Sequence, residues 1–289
     1  MKILVIGNGF IGISIIQRLE MEGHELLVFS RSVRRGIKSK QLIGDVFEVN
    51  EFARALSWGP QAIIHTAWVT THGNYESASS NYDYSQFTSN LAKSVLGTDV
   101  AHLIILGTCA EYGPQTKAST AGVTRLNPAS TYAIQKVEAY NSARNSLLNS
   151  STRLTWVRVF QPYGPHQDKN RLLPYLIKSI NEGSQIELKD VSSVLDWIST
   201  RDIASAISWI LNHDTPVEVD VGTSTGYTNL ELLQHLESKL GGNRSWTHTG
   251  SLPDTRKLVT LVGKESPLFL SGWLPNDSLD SGLEWILES

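Results

Sequence analysis

In the segment STYAIQKVEAY, Tyr132 and Lys136 stand four positions apart, so on a helix they share one face a turn apart. A phenol beside an ammonium can serve as an acid/base device. The positive charge favours the phenolate and lowers a pKa that is otherwise about 10. Alone, the pair is equally two residues of an ordinary amphipathic helix. What surrounds it carries the weight.

The first such feature is GNGFIG, which sets Gly7, Gly9 and Gly12 directly after the apolar run KILVIG and at the head of the helical pattern IGISIIQRLEMEG. There the glycines have separate jobs. They provide a tight turn, a close approach of backbone to a pyrophosphate, and tight packing of helix on strand, with the helix N-terminus facing the phosphates. A glycine turn that binds nothing has the same letters, and the placement inside a βαβ unit favours the dinucleotide site. Phe10 and Ile11 then fall at the helix start, against the cofactor.

The end of the second strand separates NAD from NADP, because a carboxylate there bonds a 2′-hydroxyl whereas a 2′-phosphate needs cations. The strand ends VFSRSVRRG, so Ser30 stands in place of the carboxylate and is followed by Arg31, Arg34 and Arg35. Guanidinium groups suit a phosphate. NADP(H) is therefore preferred, with NAD(H) as the other option and a solvated basic turn as the competing reading. Asp45, in IGDV, is a candidate partner for an adenine amino group. Val46 beside it, and Thr66 and Ala67 at the end of AIIHTAW, complete the expected cofactor surface.

Behind these residues, short apolar runs alternate with helical patterns. KILVIG, ELLVFS, AIIHTAW, HLIILGT, LTWVRVF and VEVDVG are nearly continuous, as strands covered on both faces are. Helices are expected over 79–98, 131–149, 171–182, 200–212 and 228–240. The alternation predicts an α/β fold, a doubly wound parallel sheet of the Rossmann type. After about residue 160 turn-rich stretches such as QPYGPHQDKN appear, which predicts a smaller C-terminal lobe. The expected division is a dinucleotide-binding domain of 1–160 plus 194–222 and a substrate-binding lobe of 161–193 plus 223–289.

With 289 residues, 40% hydrophobic and 18% charged, the chain can bury a sizeable core. A formal net charge of -3 offers nothing to nucleic acid or to an anionic membrane surface. One cysteine cannot form an internal disulfide, and the eight histidines lack metal-ligand spacing. No apolar stretch reaches the length of a membrane span, and ILVIG is short for the hydrophobic region of a signal peptide. A cytoplasmic, soluble protein is expected.

Taken together, GNGFIG, IGDV, IIHTAW, GTCAEYG, STYAIQK, RVFQPYGP, DWISTRDIASAI, DVGTSTGYTNLELL and SGWLPNDSLDSGL, in this order and spacing, resemble the extended short-chain dehydrogenase/reductase family of NAD-dependent epimerase/dehydratase type. The resemblance runs almost the full length. It implies that a hydroxyl at the end of the preceding strand, here Thr108, holds the substrate oxygen next to Tyr132. Lys136 would tune the tyrosine and bond the nicotinamide ribose. It further implies a nucleotide-sugar substrate and a homodimer formed through the helices at 79–98 and 131–149.

Family members that dehydrate the sugar carry an Asp-Glu pair directly after the catalytic threonine. Cys109 and Ala110 stand there, and Glu111, one position on, belongs to the structural EYG turn, so dehydration is disfavoured. Epimerases need tightly held NAD and a roomy sugar pocket. The missing strand-two carboxylate and the bulky Trp68, where a small residue is usual, speak against that. The expected activity is NADPH-dependent reduction of a nucleotide-diphosphate-linked 4-keto-6-deoxyhexose at C4. A nucleotide-sugar epimerase with bound NAD, or a non-catalytic NADP-binding sensor or scaffold, are the alternatives.

Gln161 replaces an asparagine that usually contacts the diphosphate, and Leu195 replaces an arginine of the same site. Arg171 and Arg256 are the remaining candidates for the diphosphate, with Trp68, Thr108 and Gln161 completing the substrate residues. His72 and His166 fall in loops near the substrate mouth, Trp197 and Trp273 read as packing residues, and Cys109 as a small hydrophobe.

Overall fold

The computed structural model describes residues 1–241, 246–248 and 258–289. Along the chain β1 (Lys2–Ile6), α1 (Phe10–Met21), β2 (Glu25–Ser30), β3 (Lys40–Ile43) and α2 (Val49–Leu56) come first. Next are β4 (Ala62–His65), α3 (Ser80–Ser94), β5 (His102–Thr108), α4 (Thr131–Leu147), β6 (Arg153–Val159) and β7 (Gln161–Tyr163). The later elements are α5 (Leu172–Glu182), β8 (Ile186–Leu188), β9 (Val194–Ser199), α6 (Thr200–Asn212), β10 (Glu218–Val221) and β11 (Gly226–Thr228). They are followed by α7 (Asn229–Leu240), β12 (Trp246–His248), β13 (Val259–Thr260), α8 (Pro267–Leu270) and α9 (Leu279–Leu287).

Seven parallel strands form the main sheet in the order β10-β6-β5-β4-β1-β2-β3. The pleat sorts each apolar run into two cores, because successive side chains leave opposite faces. Ile3 and Val5, Leu26 and Val28, and Ile104 and Leu106 pack with Ile15, Ile16 and Ile207 on the side of α1 and α6. Leu4 and Ile6, Leu27 and Phe29, and Leu103 and Ile105 pack with Phe52, Phe87, Leu91 and Ala139 under α2, α3 and α4. This is why the strands read as unbroken hydrophobic runs.

A second sheet, β11-β9-β13 with β7 also paired to β9, borders the cleft. A separate core of Tyr163, Leu173, Leu176, Trp197, Leu233 and Leu283 lies beneath it. Leu268 and Trp273, from the segment expected in the smaller lobe, instead join the core between the main sheet, α1 and α6. Trp273 is thus a packing residue, its indole N–H bonded to Ser205. Among the described residues no helix is long and apolar enough to cross a membrane, and no group of His, Cys, Asp and Glu could hold a metal.

Candidate active site

The carboxyl ends of the central strands open into a cleft of about 620 Å3. In an open α/β sheet this is where ligands bind, since the strand order reverses there and the neighbouring connections splay to opposite faces. Among the expected site residues, Gly7, Gly9, Phe10, Ile11, Gly12, Ser30, Arg31, Val46, Thr66, Ala67, Trp68, Thr108, Tyr132, Gln161 and Arg171 all line it. Lys136, Arg34 and Asp45 do not, and Arg256 lies outside the described residues.

The glycine turn has the form a pyrophosphate needs. Gly7 adopts φ +100°, and a Cβ there would meet Thr66 Oγ1 at 2.7 Å and the Ala67 amide nitrogen at 2.9 Å. At Gly12 it would meet Gly7 O at 2.5 Å, so that glycine lets the helix close onto the turn. Gly9 differs: its Cβ direction is open. Gly9 also caps α1 without a side-chain hydrogen bond. The amides of the first helical turn are thereby left to an anion, with the helix dipole favouring negative charge. These residues fit a dinucleotide.

At the end of β2, Ser30 Oγ donates to Ser32 O at 3.0 Å. Arg31 is exposed and lines the cleft. Arg34 points elsewhere, its Nη1 donating to Asn8 O at 3.1 Å, and Asn8 Nδ2 in turn donates to Ser32 O at 2.7 Å. The turn is therefore tied to the glycine loop, and only Arg31 of the three arginines faces the cleft. Asp45 Oδ1 accepts the Phe47 amide at 3.1 Å, a local turn contact, while Gly44 and Val46 carry the loop surface at the cleft.

Thr108 ends β5, and its hydroxyl accepts the Ala110 amide at 3.3 Å, capping the 3-10 turn Cys109–Tyr112. Tyr132 opens α4 just after the N-cap Ser130, whose hydroxyl accepts the Ala133 amide at 3.2 Å. Burial pushes the phenol pKa of Tyr132 up, by more than the nearby Thr108 hydroxyl draws it down. The phenol is thus held in its protonated form. Lys136 is 4% exposed, and burial lowers its pKa to about 7 against the opposing charge of Glu111. Its Nζ donates to Leu106 O at 2.6 Å and sits 3.7 Å from the centroid of the Trp68 ring.

Glu111 is wholly buried and works as structure, as expected of the EYG turn. Its carboxylate accepts the Thr108 amide at 2.8 Å, the Trp156 indole N–H at 3.0 Å and Arg158 Nε at 2.7 Å. Burial pushes the Cys109 thiol up to about 12, so it remains neutral. His72 lines the cleft, whereas His166 is exposed outside it.

Several cleft residues carried no sequence signal. Tyr75 packs edge-on against Tyr132, ring centroids 5.1 Å apart, and the Arg171 guanidinium lies 4.8 Å from the Tyr75 ring. Arg171, at the N-cap of α5, also reaches Thr70 O at 3.2 Å and so bridges the two walls. Trp197 Nε1, Gln167 Oε1 and Asn229 Oδ1 are buried without hydrogen-bond partners. All three residues line the cleft, and Trp197 is, as expected, a packing residue of the core beneath the second sheet whose N–H is in addition an unpartnered donor, while Gln167 Oε1 and Asn229 Oδ1 are unpartnered acceptors.

A seven-stranded parallel sheet, with a glycine turn that fits a pyrophosphate and a Thr/Tyr pair in the adjoining cleft, defines a Rossmann-type α/β protein. The family model described as "NAD dependent epimerase/dehydratase family" matches residues 3–222, and the chain belongs to that family. No curated protein matches it. Among solved structures, dTDP-glucose 4,6-dehydratase from Bacillus anthracis in complex with NAD is similar, with 21% identity and a TM-score of 0.86, covering 100% of this chain and 96% of that one. UDP-glucose 4-epimerase from Thermotoga maritima with UDP-glucose has 20% identity and a TM-score of 0.83, covering 100% and 98%. A putative epimerase from Burkholderia cenocepacia has 20% identity and a TM-score of 0.86, covering 99% and 97%. At these identities the likeness establishes the fold.

Proposed function

We propose that the protein reduces a nucleotide-diphosphate-linked 4-keto-6-deoxyhexose at C4, with NADP(H) as preferred cosubstrate. One observation carries the choice within the family. Among the described residues that line the cleft, the one carboxylate is Asp168, which is exposed and takes up the Asn170 amide and side chain at 2.9 and 3.0 Å. Eliminating water from a sugar needs an acid and a base beside the reacting carbons. Cys109 and Ala110 offer neither.

The glycine turn and Arg31 would hold the cofactor, which when bound supplies hydride at the nicotinamide. Thr108 donates to or accepts from the substrate oxygen and fixes it against Tyr132. The phenol, kept protonated by burial, donates its proton to that oxygen as the carbonyl becomes an alcohol. The Lys136 ammonium stabilises the phenolate left behind. Trp197, Gln167, Asn229, Gln161 and Arg171 are offered as the substrate's polar contacts. Trp68 narrows the inner cleft where an epimerase would need room to rotate a ketosugar.

The test is NADPH oxidation against a panel of nucleotide-linked 4-ketosugars, with product stereochemistry read by NMR. No consumption with any of them removes the proposal. The similarity to UDP-glucose 4-epimerase, together with the NAD named in the similar dTDP-glucose 4,6-dehydratase structure, favours one second reading, a nucleotide-sugar epimerase. Stoichiometric NAD released on denaturing the purified protein would decide for it. A homodimer through α3 and α4 is also proposed, supported by exposed Tyr82 and Ile134 on those helices and checked by sedimentation.

A further inference from the structure

Trp68 lies just past the end of β4, and its surroundings explain what the indole does. The Lys136 ammonium has three donors, yet its one hydrogen bond goes to the Leu106 carbonyl. Among the described residues it forms no ion pair. What covers it is aromatic, the Trp68 ring at 3.7 Å and the Trp156 ring at 6.0 Å. The indole is itself locked. Its Nε1 donates to Asn81 Oδ1 at 2.8 Å, and Asn81, wholly buried, donates through Nδ2 to Tyr75 O at 2.7 Å and Ala78 O at 2.9 Å. Tyr84 stacks on the ring at 5.5 Å with the planes 25° apart. Trp68 lines the cleft and Lys136 does not.

We propose that Trp68 is the positioning residue for Lys136: its fixed indole face seats the ammonium against β5, favours its charged form, and so sets the conditions under which Tyr132 exchanges its proton. The proposal rests on Tyr132 and Lys136 being the acid/base pair. A buried ammonium with one hydrogen bond is short of partners, and an aromatic face supplies attraction that is strongest when water is excluded. The other titratable groups facing Lys136 are few. Glu111, from the turn after β5, favours the charge. His65, at the end of β4, is kept neutral by burial, with a pKa of about 3. Tyr132 lies one turn earlier on α4 and is protonated.

The experiment is NMR of the full chain carrying 13Cε-lysine, with the Lys136 signal assigned by its loss in Lys136→Arg. In the wild type the indole ring current is expected to displace this resonance upfield. Trp68→Leu keeps bulk and removes the π face. The upfield displacement should vanish there, and the titration midpoint should fall by about half to one and a half pH units. Trp68→Phe, which retains a ring, should fall between the two.

An undisplaced Lys136 signal in the wild type overturns the proposal. So does a midpoint unchanged in Trp68→Leu, or one lowered equally by Leu and Phe, which is the signature of packing alone. Should Trp68→Leu fail to fold by circular dichroism, the wild-type displacement and the Trp68→Phe midpoint decide on the same criteria. None of these readings needs cofactor or substrate. Failure here is therefore distinct from failure of the reductase reading, which turnover decides.

Discussion

Glu111 Oε2 and Arg158 Nε lie 2.7 Å apart with both side chains wholly buried, directly beneath Thr108. Arg158 also meets Glu218 Oε2 from β10 at 2.6 Å, so β6, β10 and the turn after β5 share one ionic network. Removing one partner of a buried pair costs about 3 to 5 kcal/mol, and because Arg158 keeps Glu218 when Glu111 is lost, the lower end of that range applies here. Glu111→Ala should lose about that much in urea unfolding. Because Glu111 Oε1 also fixes the Thr108 amide at 2.8 Å, Glu111→Gln should keep more stability and still slow turnover. A Glu111→Ala variant as stable as wild type would contradict this account.

Tyr132 is the proton donor of the proposed reaction, with Thr108 holding its partner oxygen. Tyr132→Phe removes the proton and leaves the ring against Tyr75, so turnover should fall by about 10²- to 10⁴-fold while cofactor binding persists. Thr108→Val should have a smaller effect on the rate. Steady-state kinetics alongside cofactor titration separate the two effects. Undiminished turnover in Tyr132→Phe would remove the mechanism.

Arg31 is the arginine of its turn that faces the cleft, because Arg34 is held by Asn8. One charged contact to a 2′-phosphate is worth about 1.5 to 3 kcal/mol. Arg31→Ala should therefore raise the Kd for NADPH about ten- to hundredfold and barely change that for NADH. Arg34→Ala should act on loop stability instead. Equal losses for both cofactors in Arg31→Ala would place the 2′-phosphate elsewhere.

The main sheet was legible because its strands are buried on both faces, so that composition alone marks them, and GNGFIG carries its turn chemistry locally. Glu111 was recognisable as structural, but its partners Arg158 and Glu218 were not, since 47 and 107 residues of sequence separate them from it. Tyr75, Gln167 and Asn229 belong to loops or an element end and meet only across the cleft. The short strands β7, β11 and β13, of three, three and two residues, are too brief to show a period. Arg34 was visible as a residue and misjudged as to direction, because a backbone carbonyl captured it. Trp197, read as a packing residue, does pack in the core beneath the second sheet, and what the sequence hid is that its buried N–H has no partner.

Lys136 gives the pH dependence of stability a definite sign. Burial lowers its folded pKa from 10.5 to about 7. Between those values the unfolded chain binds the proton and the folded chain does not, so this group makes the protein more stable as pH rises from 7 toward 10.5. The gain is at most about 1.4 kcal/mol per pH unit. Below pH 7 both states are charged and the full penalty stands. Above pH 10 the buried phenols act oppositely, because the raised pKa values of Tyr132 and Tyr112 let the folded chain keep protons that the unfolded chain loses. The comparison is therefore made from roughly pH 7 to 10, between wild type and Lys136→Met, which keeps the stem and cannot titrate. Urea unfolding should show the wild type gaining on the variant across that window, and parallel curves would mean that Lys136 is not buried as a titrating ammonium.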